Sequence, residues 1–329
     1  MKTFLSIQIP ENRIAKFPRG KGKSLLMVVR RNPFSIEHRK FYEIVDILTP
    51  EYMLILNNTK VLKARLPLRK PSGRFVDLLF VGFDERGFIR GMLKGRVKDG
   101  WILKTPKGAE FLVMGRDSEG YVLLEFKGNI FEVLEEEGRM PLPPYIKRDV
   151  LPEDEEYYQT VYAEKPGSIA APTAGLHFTE EILKKLQEKD VKIRFITLHV
   201  GPGTFKPVKD IESHKMDEEY YEIPEETLKE ILEHRKRGGK ILAVGTTTVR
   251  TLESWAITGK VRGYTDLFIK PPFEFKMTDA LLTNFHLPDG TPILLVAAFL
   301  GEEKTMAAYE EALKRDYMFF SYGDAMLIL

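Results

Sequence analysis

The spacing of hydrophobic and polar positions predicts strands and helices in alternation over both outer parts of the chain. Apolar runs of strand length occur at Ser24–Val29, Tyr52–Leu56 and Lys240–Val244. Apolar residues recur at helical spacing after Thr179, a good N-cap residue, and again after Pro224. Further helices are predicted over Thr251–Ala256 and Glu302–Asp316, a further strand over Tyr264–Ile269, and a buried strand or short helix over Pro292–Leu300.

A different pattern occupies the region from about residue 69 to residue 138. Short strand-like runs are separated there by glycine-containing turns, and a helical period returns only at Ile130–Glu137. The predicted strands are Phe75–Phe80, Phe88–Leu93, Trp101–Leu103, Glu110–Met114 and Tyr121–Phe126. Several short strands with regular turns are typical of a small antiparallel barrel.

Together these patterns predict an α/β (α+β) core domain with a mixed sheet, into which a small antiparallel β-barrel domain is inserted. We expect the core to be discontinuous, formed by residues 1–66 and 149–329, with residues 67–148 as the inserted domain. A chain of 329 residues fits such a two-domain arrangement.

Composition excludes several kinds of chemistry. There is no cysteine, so disulfides, thiolate zinc sites and cysteine nucleophiles are excluded, and no cluster with metal-ligand spacing is visible. Lys and Arg number 50 against 48 Asp and Glu, so any basic surface must be local. No apolar run has membrane-spanning length and no signal-peptide pattern is present, and we therefore expect a cytoplasmic protein without membrane association.

The stretch from Gly167 to Phe205 is the first candidate for a ligand site. A loop of small residues precedes the predicted helix after Thr179, and a Gly-Pro-Gly loop follows the next strand. Small residues allow a ligand to approach the backbone, and the start of a helix attracts anions. The glycines and alanines alone are equally consistent with tight turns, but His177 and His199 among them favour a functional site.

Three other segments carry polar groups that suggest binding. Gly245–Arg250, a strand followed by a Gly-Thr-Thr-Thr turn and a helix, resembles an anion-binding turn but lacks the Walker A spacing. Thr283–Pro288 follows an apolar run. The predicted barrel carries basic residues suited to RNA, each of which is also consistent with a solvated edge residue; they are Arg86, Arg90, Lys94, Arg96, Lys98, Lys104 and Lys107.

Several of these segments, taken together, resemble one family over nearly the whole chain. They are residues 57–61, 142–146, 159–163, 170–178, 197–205, 243–250, 252–254, 283–288 and 320–326. In these segments the sequence resembles the S-adenosylmethionine:tRNA ribosyltransferase-isomerases of queuosine biosynthesis. The blocks Ala170–Phe178 and Thr283–Pro288 are too long and specific to be chance turns.

The resemblance implies the substrates and the reaction. The ribosyl part of S-adenosylmethionine would be transferred to 7-aminomethyl-7-deazaguanine at the wobble position of a tRNA and isomerised. Epoxyqueuosine-tRNA would form, and adenine and methionine would leave. The expected partners are therefore S-adenosylmethionine, as a co-substrate, and the anticodon arm of that tRNA; no prosthetic group and a monomeric enzyme are expected.

The same resemblance implies which residues act. A base must remove a proton from the ribose carbon beside the sulfonium, and histidine suits this role. His177 is the first choice as base or as acid toward adenine and His286 the second; His199 and His214 are also candidates, and a structural role is as plausible for each. The expected binding residues for S-adenosylmethionine are Thr173, Gly175, Phe178, Gly203, Thr204, Thr246, Thr247, Arg250 and Asn284.

Some of the expected binding roles are more specific. Thr173, Thr204, Asn284 or backbone N–H groups near Gly175 and Gly203 would stabilise the charge that develops on the leaving adenine. The Thr246–Thr248 turn would hold the methionine carboxylate or an RNA phosphate, with Arg250 as counter-charge. Three aromatic residues are candidates for stacking on a base and, equally, for the core; they are Tyr145, Tyr158 and Phe178.

Two rival functions remain open on sequence grounds. A nucleotide- or phosphoribosyl-binding transferase would use the Gly245–Thr248 turn, but no acidic partner for a ribose or a metal ion stands at suitable spacing. A non-catalytic RNA-binding module would use the basic barrel, but would leave the polar segments around His177, His199 and His286 unexplained.

Overall fold

The computed structural model describes residues 7–205, 208 and 210–329. The strands are β1 (Leu25–Arg31), β2 (Phe34–Lys40), β3 (Tyr52–Asn57), β4 (Thr59–Val61), β5 (Arg65–Arg69), β6 (Phe75–Phe83), β7 (Ile89–Lys94), β8 (Ile102–Lys104), β9 (Glu110–Arg116), β10 (Val122–Glu125), β11 (Lys165–Ser168), β12 (Lys192–Leu198), β13 (Glu219–Glu222), β14 (Lys240–Val244), β15 (Arg262–Thr265), β16 (Ala280–Asn284) and β17 (Ala325–Ile328). The α-helices are α1 (Ile44–Ile47), α2 (Ile130–Glu137), α3 (Asp154–Tyr157), α4 (Glu180–Glu188), α5 (Glu225–Lys236), α6 (Thr246–Thr258), α7 (Thr291–Leu300) and α8 (Glu302–Lys314).

A mixed sheet forms the centre of the larger unit. Within the described residues it has nine strands in the order β15-β13-β12-β3-β14-β16-β17-β1-β2. The neighbours β12, β3, β14 and β16 run parallel, and β17 is antiparallel to β16 but parallel to β1. The carboxyl ends of four adjacent strands therefore meet at one edge, which also receives the segments that lead into β17 and β1.

The strands are buried on both faces because helices cover each side. Alternate residues point to opposite faces, so Met53 and Ile55 of β3 pack with α5, α6, α7 and α8, whereas Leu54 and Leu56 pack against α4 and Phe178. This double covering explains the near-continuous apolar runs in the central strands, since a strand buried on both faces has no polar side.

The smaller unit is a closed antiparallel barrel. Its six described strands follow the order β10-β7-β6-β5-β8-β9. Its interior is filled by alternate strand residues such as Leu66, Leu78 and Phe111, and α2 closes it with Ile130 and Leu134. The barrel core is a separate cluster from the two clusters that flank the mixed sheet.

The predicted fold class, an α/β core with a mixed sheet and a small inserted barrel, is confirmed. The first barrel strand, β5, begins at Arg65 and the last, β10, ends at Glu125; the predicted boundaries at residues 66/67 and 148/149 stay a prediction. Among the helices of the described residues, none has the length and apolar character needed to span a bilayer.

Two element predictions need correction. The predicted Gly-Thr-Thr-Thr turn is the first turn of α6, so this helix begins at Thr246 and not at Thr251. Strand β15 ends at Thr265, four residues earlier than predicted. Of the two forms predicted for Pro292–Leu300, strand and short helix, the structure has the helix. Threonine is accommodated at the start of α6 because Thr248 Oγ1 donates to the carbonyl of Val244 at 2.8 Å.

Burial predicts a large difference between two leucine truncations. Leu54→Ala removes a fully buried side chain from the centre of the sheet and should lower the free energy of unfolding by about 2–5 kcal/mol. Leu232→Ala, the matched control on α5, removes a side chain that is 44% exposed and should cost about 0.5 kcal/mol or less. Urea unfolding measures both values, and equal losses would contradict the assigned core.

Candidate active site

The main cleft opens at the edge where the parallel strands end. Strands β3, β14 and β16 end there at Asn57, Val244 and Asn284. Ligands of open α/β sheets bind outside the carboxyl ends of the strands. The cleft is lined by residues 170–174, Gly245, Thr246, Thr247, Thr283, Asn284 and His286, together with Tyr145, Tyr158, Val200, Leu287, Gly290, Pro292, Phe320 and Ser321.

A second cleft, the side cleft, adjoins the first. It is lined by Met216, Glu219, Arg250, Leu267, Phe268, Ile269, Thr291 and Leu295, and it shares Val200, Thr246, Thr247 and Pro292 with the main cleft. An extended ligand can therefore lie across Thr246 and Thr247 with one end in each cleft.

Helix α6 begins between these two clefts. Gly245 precedes it with φ of +89°, a backbone conformation that a side chain would strain, and no side chain of the described residues caps the helix start. Asn57 Nδ2 donates to Thr247 Oγ1 at 3.3 Å, which ties the first turn to the end of β3. The N–H groups of this turn have no intrahelical acceptor, so together with the helix dipole they are able to attract an anion.

His286 is the histidine that lines the main cleft. Its Nε2 lies 2.6 Å from Thr283 Oγ1, and its backbone N–H donates to the Tyr309 hydroxyl at 2.8 Å. The ring keeps some contact with the cleft, yet the packing around it lowers the pKa to about 3. Thr283 Oγ1 occupies Nε2, as acceptor or as donor according to the tautomer, whereas Nδ1 has no hydrogen-bond partner among the described residues, and the imidazole is neutral at working pH.

His177 lies behind the main cleft, on the far side of Asn284. Its Nε2 is 3.3 Å from Asn284 Oδ1 and its Nδ1 is 2.7 Å from Ser24 Oγ. Asn284 Nδ2 donates to the carbonyl of Phe320, so its Oδ1 accepts from His177, which leaves Nδ1 to accept from the Ser24 hydroxyl. Both ring nitrogens are therefore occupied, and burial lowers the pKa of His177 to about 4.

Tyr158 brings an unused polar group to the main cleft. Its side chain is fully buried, and its hydroxyl forms no hydrogen bond of good geometry with the described residues, although the Ala171 backbone and the Ser321 side chain lie near it. Burial raises its pKa, so the hydroxyl remains protonated. Beside it, the Tyr145 hydroxyl is hydrogen-bonded to Ser321, and burial raises the pKa of Tyr145 to about 12. A buried hydroxyl without a well-formed hydrogen bond is costly, so a small shift of the Tyr158 side chain toward a water or a ligand atom would stabilise it.

Arg250 is held by protein groups in the side cleft. Its guanidinium forms a buried ion pair with Glu219, donates from Nε to the carbonyl of Leu267 at 3.0 Å and donates from Nη2 to the carbonyl of Thr265 at 3.3 Å. Glu219 in turn accepts the backbone N–H of Gly201 at 2.7 Å. Because Glu219 balances its charge, Arg250 fixes the wall of the side cleft and is not available to bind an anion. The group near the clefts that is able to attract an anion is therefore the start of α6.

Other predicted site residues lie outside the main cleft. His199 Nδ1 is hydrogen-bonded to Thr59 Oγ1 at 2.8 Å, and its ring stacks on Tyr220. Burial lowers the pKa of His199. His214 packs edge-on against Phe268 at 5.1 Å, near the side cleft. Phe178 is fully buried against Phe41.

The remaining predicted binding residues occupy the surrounding turns. Thr173 lines the main cleft and begins the short 3-10 turn that contains Gly175. A Cβ on Gly175 would lie 2.1 Å from the Tyr162 hydroxyl, so this glycine permits close packing behind the cleft. A Cβ on Gly203 would likewise lie too close to the side chain of Asp217, so this glycine also permits close packing. The side chain of Thr204 is not among those that the structure describes.

Sequence analysis gave no role to several groups that the structure brings to the site. Asn57, Ser24 and Ser321 all contact residues of the main cleft or the residues behind it. The sequence signal for Asn57 was a polar segment directly after an apolar run, whereas Ser24 gave no signal. No group of three or more His, Asp or Glu side chains within the described residues is arranged to hold a metal ion.

The buried histidines predict how stability depends on pH. The ordinary pKa of His177 is 6.5 and its folded pKa is about 4, so below pH 6.5 the unfolded chain binds a proton that the folded chain does not. The free energy of unfolding should therefore fall as the pH falls from about 6.5 to about 4, with on the order of 2 kcal/mol lost from His177 by pH 5.

The variant His177→Gln, which cannot bind that proton, isolates this contribution. Urea unfolding of both proteins at pH 7 and pH 5 should show a smaller loss in the variant than in the wild type. Identical losses would mean that His177 is not buried in its neutral form.

Comparison with known proteins gives one consistent family. The model of the family described as "Queuosine biosynthesis protein" matches residues 3–328. The S-adenosylmethionine:tRNA ribosyltransferase-isomerase of Thermotoga maritima is 48% identical over 330 residues, which cover 98% of each chain. A protein of the same name from Thermus thermophilus is 45% identical over 341 residues, covering 98% of this chain and 97% of that one.

A solved structure agrees with these sequence matches. The crystal structure of S-adenosylmethionine tRNA ribosyltransferase from Thermotoga maritima aligns over the whole of both chains, with 38% sequence identity and a TM-score of 0.59. Since the family model and the relatives both span almost the entire sequence, this chain belongs to the queuosine biosynthesis protein family.

Proposed function

We propose that this protein is an S-adenosylmethionine:tRNA ribosyltransferase-isomerase. The observation that carries the proposal is the content of the main cleft: a neutral histidine with one unpartnered nitrogen, an uncapped helix start and a buried tyrosine hydroxyl without a well-formed hydrogen bond to the described residues. A non-catalytic RNA-binding module would not need a buried neutral base, and a methyl transfer from a sulfonium would not need a base beside the ribose.

The acceptor in this proposal is 7-aminomethyl-7-deazaguanine at the wobble position of a tRNA. Its amine nitrogen forms a bond to the ribosyl carbon skeleton, which rearranges to the epoxycyclopentanediol of epoxyqueuosine. Adenine leaves with the electron pair of the glycosidic bond and is protonated, and methionine leaves with the electron pair of the carbon–sulfur bond. S-adenosylmethionine carries one net positive charge and the released adenine and methionine carry none, so one proton is released in net when the amine of the base has the same protonation state before and after the transfer.

S-adenosylmethionine can lie across both clefts. We place its carboxylate at the start of α6, where Thr246 and Thr247 border both clefts, because the N–H groups there are uncapped and the dipole favours negative charge. The adenosyl part then occupies the main cleft, with its polar edge toward the Tyr158 hydroxyl. In this placement the ligand binds the N–H groups at the start of α6 and the Tyr158 hydroxyl, and the Arg250–Glu219 ion pair stays intact.

His286 is the base in this arrangement. The sulfonium acidifies the adjacent ribose carbon, and the neutral imidazole offers the Nδ1 lone pair while Thr283 holds Nε2. His177 supports the reaction indirectly, by orienting the side-chain amide of Asn284. A hydrogen bond from Asn284 Nδ2 to the carbonyl of Phe320 holds this amide in the wall of the main cleft. Cytoplasmic location and a monomeric state stay predictions of the sequence.

The direct test is the reaction itself. The purified protein is incubated with S-adenosylmethionine and an anticodon stem-loop that carries the aminomethyl-deazaguanine base, and the RNA is analysed by mass spectrometry. A mass gain that matches epoxyqueuosine, with one adenine released per RNA, is expected. A methyl-sized mass gain would mean that the protein transfers the methyl group and not the ribosyl group. No mass gain together with tight RNA binding would mean that the protein is a non-catalytic RNA-binding module.

Replacing the proposed base should affect turnover far more than binding. His286→Gln removes the nitrogen that accepts the proton, and kcat for adenine release should fall by about 10²- to 10⁴-fold, while the Kd for S-adenosylmethionine changes little. His199→Gln, which alters a histidine outside the main cleft, is the matched control and should keep kcat within severalfold of the wild type. Near-normal turnover in His286→Gln would remove this residue from the mechanism.

The Tyr158 hydroxyl should contribute to ligand affinity but not to the stability of the free protein. Tyr158→Phe removes a hydroxyl that forms no hydrogen bond of good geometry with the described residues, so the free energy of unfolding should change little. Affinity for S-adenosylmethionine, measured by calorimetry, should fall about tenfold because one ligand hydrogen bond is lost.

Tyr317→Phe is the matched control for that substitution. Tyr317 is equally buried, but its hydroxyl is 3.0 Å from His38 Nδ1 and it lies away from the clefts. This variant should lose about 1 kcal/mol of stability and keep its affinity. The assignment fails if Tyr158→Phe destabilises the free protein as Tyr317→Phe does and leaves the affinity unchanged.

A further inference from the structure

Residues Lys16–Lys23 form a basic strap along the edge of the sheet that holds the active site. Their sequence is Lys-Phe-Pro-Arg-Gly-Lys-Gly-Lys, with four cations and one aromatic residue in eight positions. The strap leads into β1, which is parallel to β17, and β17 is paired with β16 at Asn284. The strap therefore reaches the same edge as the main cleft.

Contacts with the rest of the protein anchor the strap near both ends. Arg148 Nε donates to the carbonyl of Lys16 at 2.9 Å, and the Arg148 guanidinium lies 4.6 Å from the centre of the Phe17 ring. Arg148 is itself fixed by two hydrogen bonds of 2.7 Å to Asp154. At the other end, the N–H of Gly22 donates to the carbonyl of His177 at 2.9 Å. A surface fixed in this way loses little entropy when it binds a partner.

The strap exposes charge and an aromatic face together. Phe17 is 58% exposed although it is a large apolar side chain. Lys23 is exposed and forms no ion pair with the described residues, and Lys16 has its acidic partner Glu11 only at 3.7 Å. Cations that follow a backbone, beside an aromatic ring on which a base can stack, are typical of surfaces that bind single-stranded nucleic acid.

A small cleft lies between the strap and the wall of the active site. Its lining includes Arg19, Lys21, His177, Ser321, Tyr322 and Gly323. Ser321 also lines the main cleft, so the two are neighbours. A nucleotide drawn out of its stack could enter the main cleft while the adjoining phosphates remain over the strap.

Four of the barrel cations are held by acidic partners, as Arg19 of the strap is by Asp324 at 3.4 Å. Arg86 is paired with Asp84 at 2.9 Å, Arg90 with Asp117 at 2.8 Å, and Lys104 with Glu110 at 2.5 Å. Lys107 lies 3.0 Å from Glu136. These acidic partners largely cancel the positive charge of the four barrel residues, so each of the four is a weaker candidate for binding RNA than Lys23.

We propose that the strap Lys16–Lys23 is the surface that receives the anticodon arm of the tRNA. Lys16 and Lys23 contact phosphates, and Phe17 stacks on a base of the loop. The proposal rests on the proposed function, since it assumes that the anticodon arm must be brought to the main cleft.

The first test compares the salt dependence of RNA binding. The Kd for an unmodified anticodon stem-loop is measured by fluorescence anisotropy for the wild type and two double variants, at KCl concentrations from about 50 mM to about 300 mM. Each phosphate contact contributes about 0.7 to the slope of log Kd against log salt. Lys16→Ala/Lys23→Ala should therefore lower this slope by about 1.4, and Lys104→Ala/Lys107→Ala should leave it nearly unchanged.

The second test separates stacking from charge. Phe17→Leu keeps an apolar side chain beside Arg148 but removes the aromatic face, so the stem-loop should bind about tenfold more weakly with the same salt slope. Unchanged affinity in this variant would overturn the stacking contact. A lower slope in the barrel variant, together with a wild-type slope in the strap variant, would overturn the proposal as a whole.

Kinetics with the modified stem-loop distinguish this proposal from the function on which it rests. One outcome supports both the proposed function and the strap proposal. In that case the wild type transfers the ribosyl group, and the strap variant has a KM for RNA raised about tenfold or more with an unchanged KM for S-adenosylmethionine. If the wild type is active and the strap variant has the same KM for RNA, only the strap proposal fails. If the wild type produces no epoxyqueuosine, the proposed function fails, whatever the strap variant binds.

Discussion

The buried side chain of Asn57 ties together the parts of the protein from which the site is built. Its Oδ1 accepts the backbone N–H groups of Leu198 and Thr59 at 3.0 and 3.1 Å, and its Nδ2 donates to the carbonyl of Leu198 and to Thr247 Oγ1 at 3.0 and 3.3 Å. The amide thus has all its hydrogen bonds, although it is completely buried. Each bond left unmade at such a position would cost about 1–3 kcal/mol, so β3, β12 and α6 are held in one relative position.

The site that this arrangement creates is nearly free of net charge. His177 and His286 are neutral because burial lowers their pKa values, and Tyr145 and Tyr158 keep their protons because burial raises theirs. The nearby charged pair, Arg250 and Glu219, is mutually compensated. A cationic substrate in such surroundings interacts strongly with the few oriented dipoles present, since little water screens them.

Sequence and structure agree best where one local rule decides the outcome. Helix α4 begins after Thr179, whose hydroxyl accepts the N–H of Ile182, and helix α2 covers the predicted residues 130–137. They disagree at α6, because threonine favours turns over helices when judged locally. There the tertiary structure prevails: Thr248 bonds its side chain to the preceding strand, and Val249 and Leu252 are buried under the sheet.

By itself the sequence determined the alternation of elements, the barrel within the core, the family and the segments that line the main cleft, because these depend on periodicity, glycine turns and contiguous motifs. It ranked His177 before His286 without a physical basis for that order, since each of the four histidines stands beside similar small and polar residues. Only the tertiary structure decided that His286 faces the main cleft, that Asn284 separates His177 from it, and that Glu219 compensates Arg250. The reason is physical: a side chain's pKa and its free hydrogen-bonding atoms are set by neighbours distant in sequence, such as Ser24 beside His177, and the sequence alone does not say which residues these are.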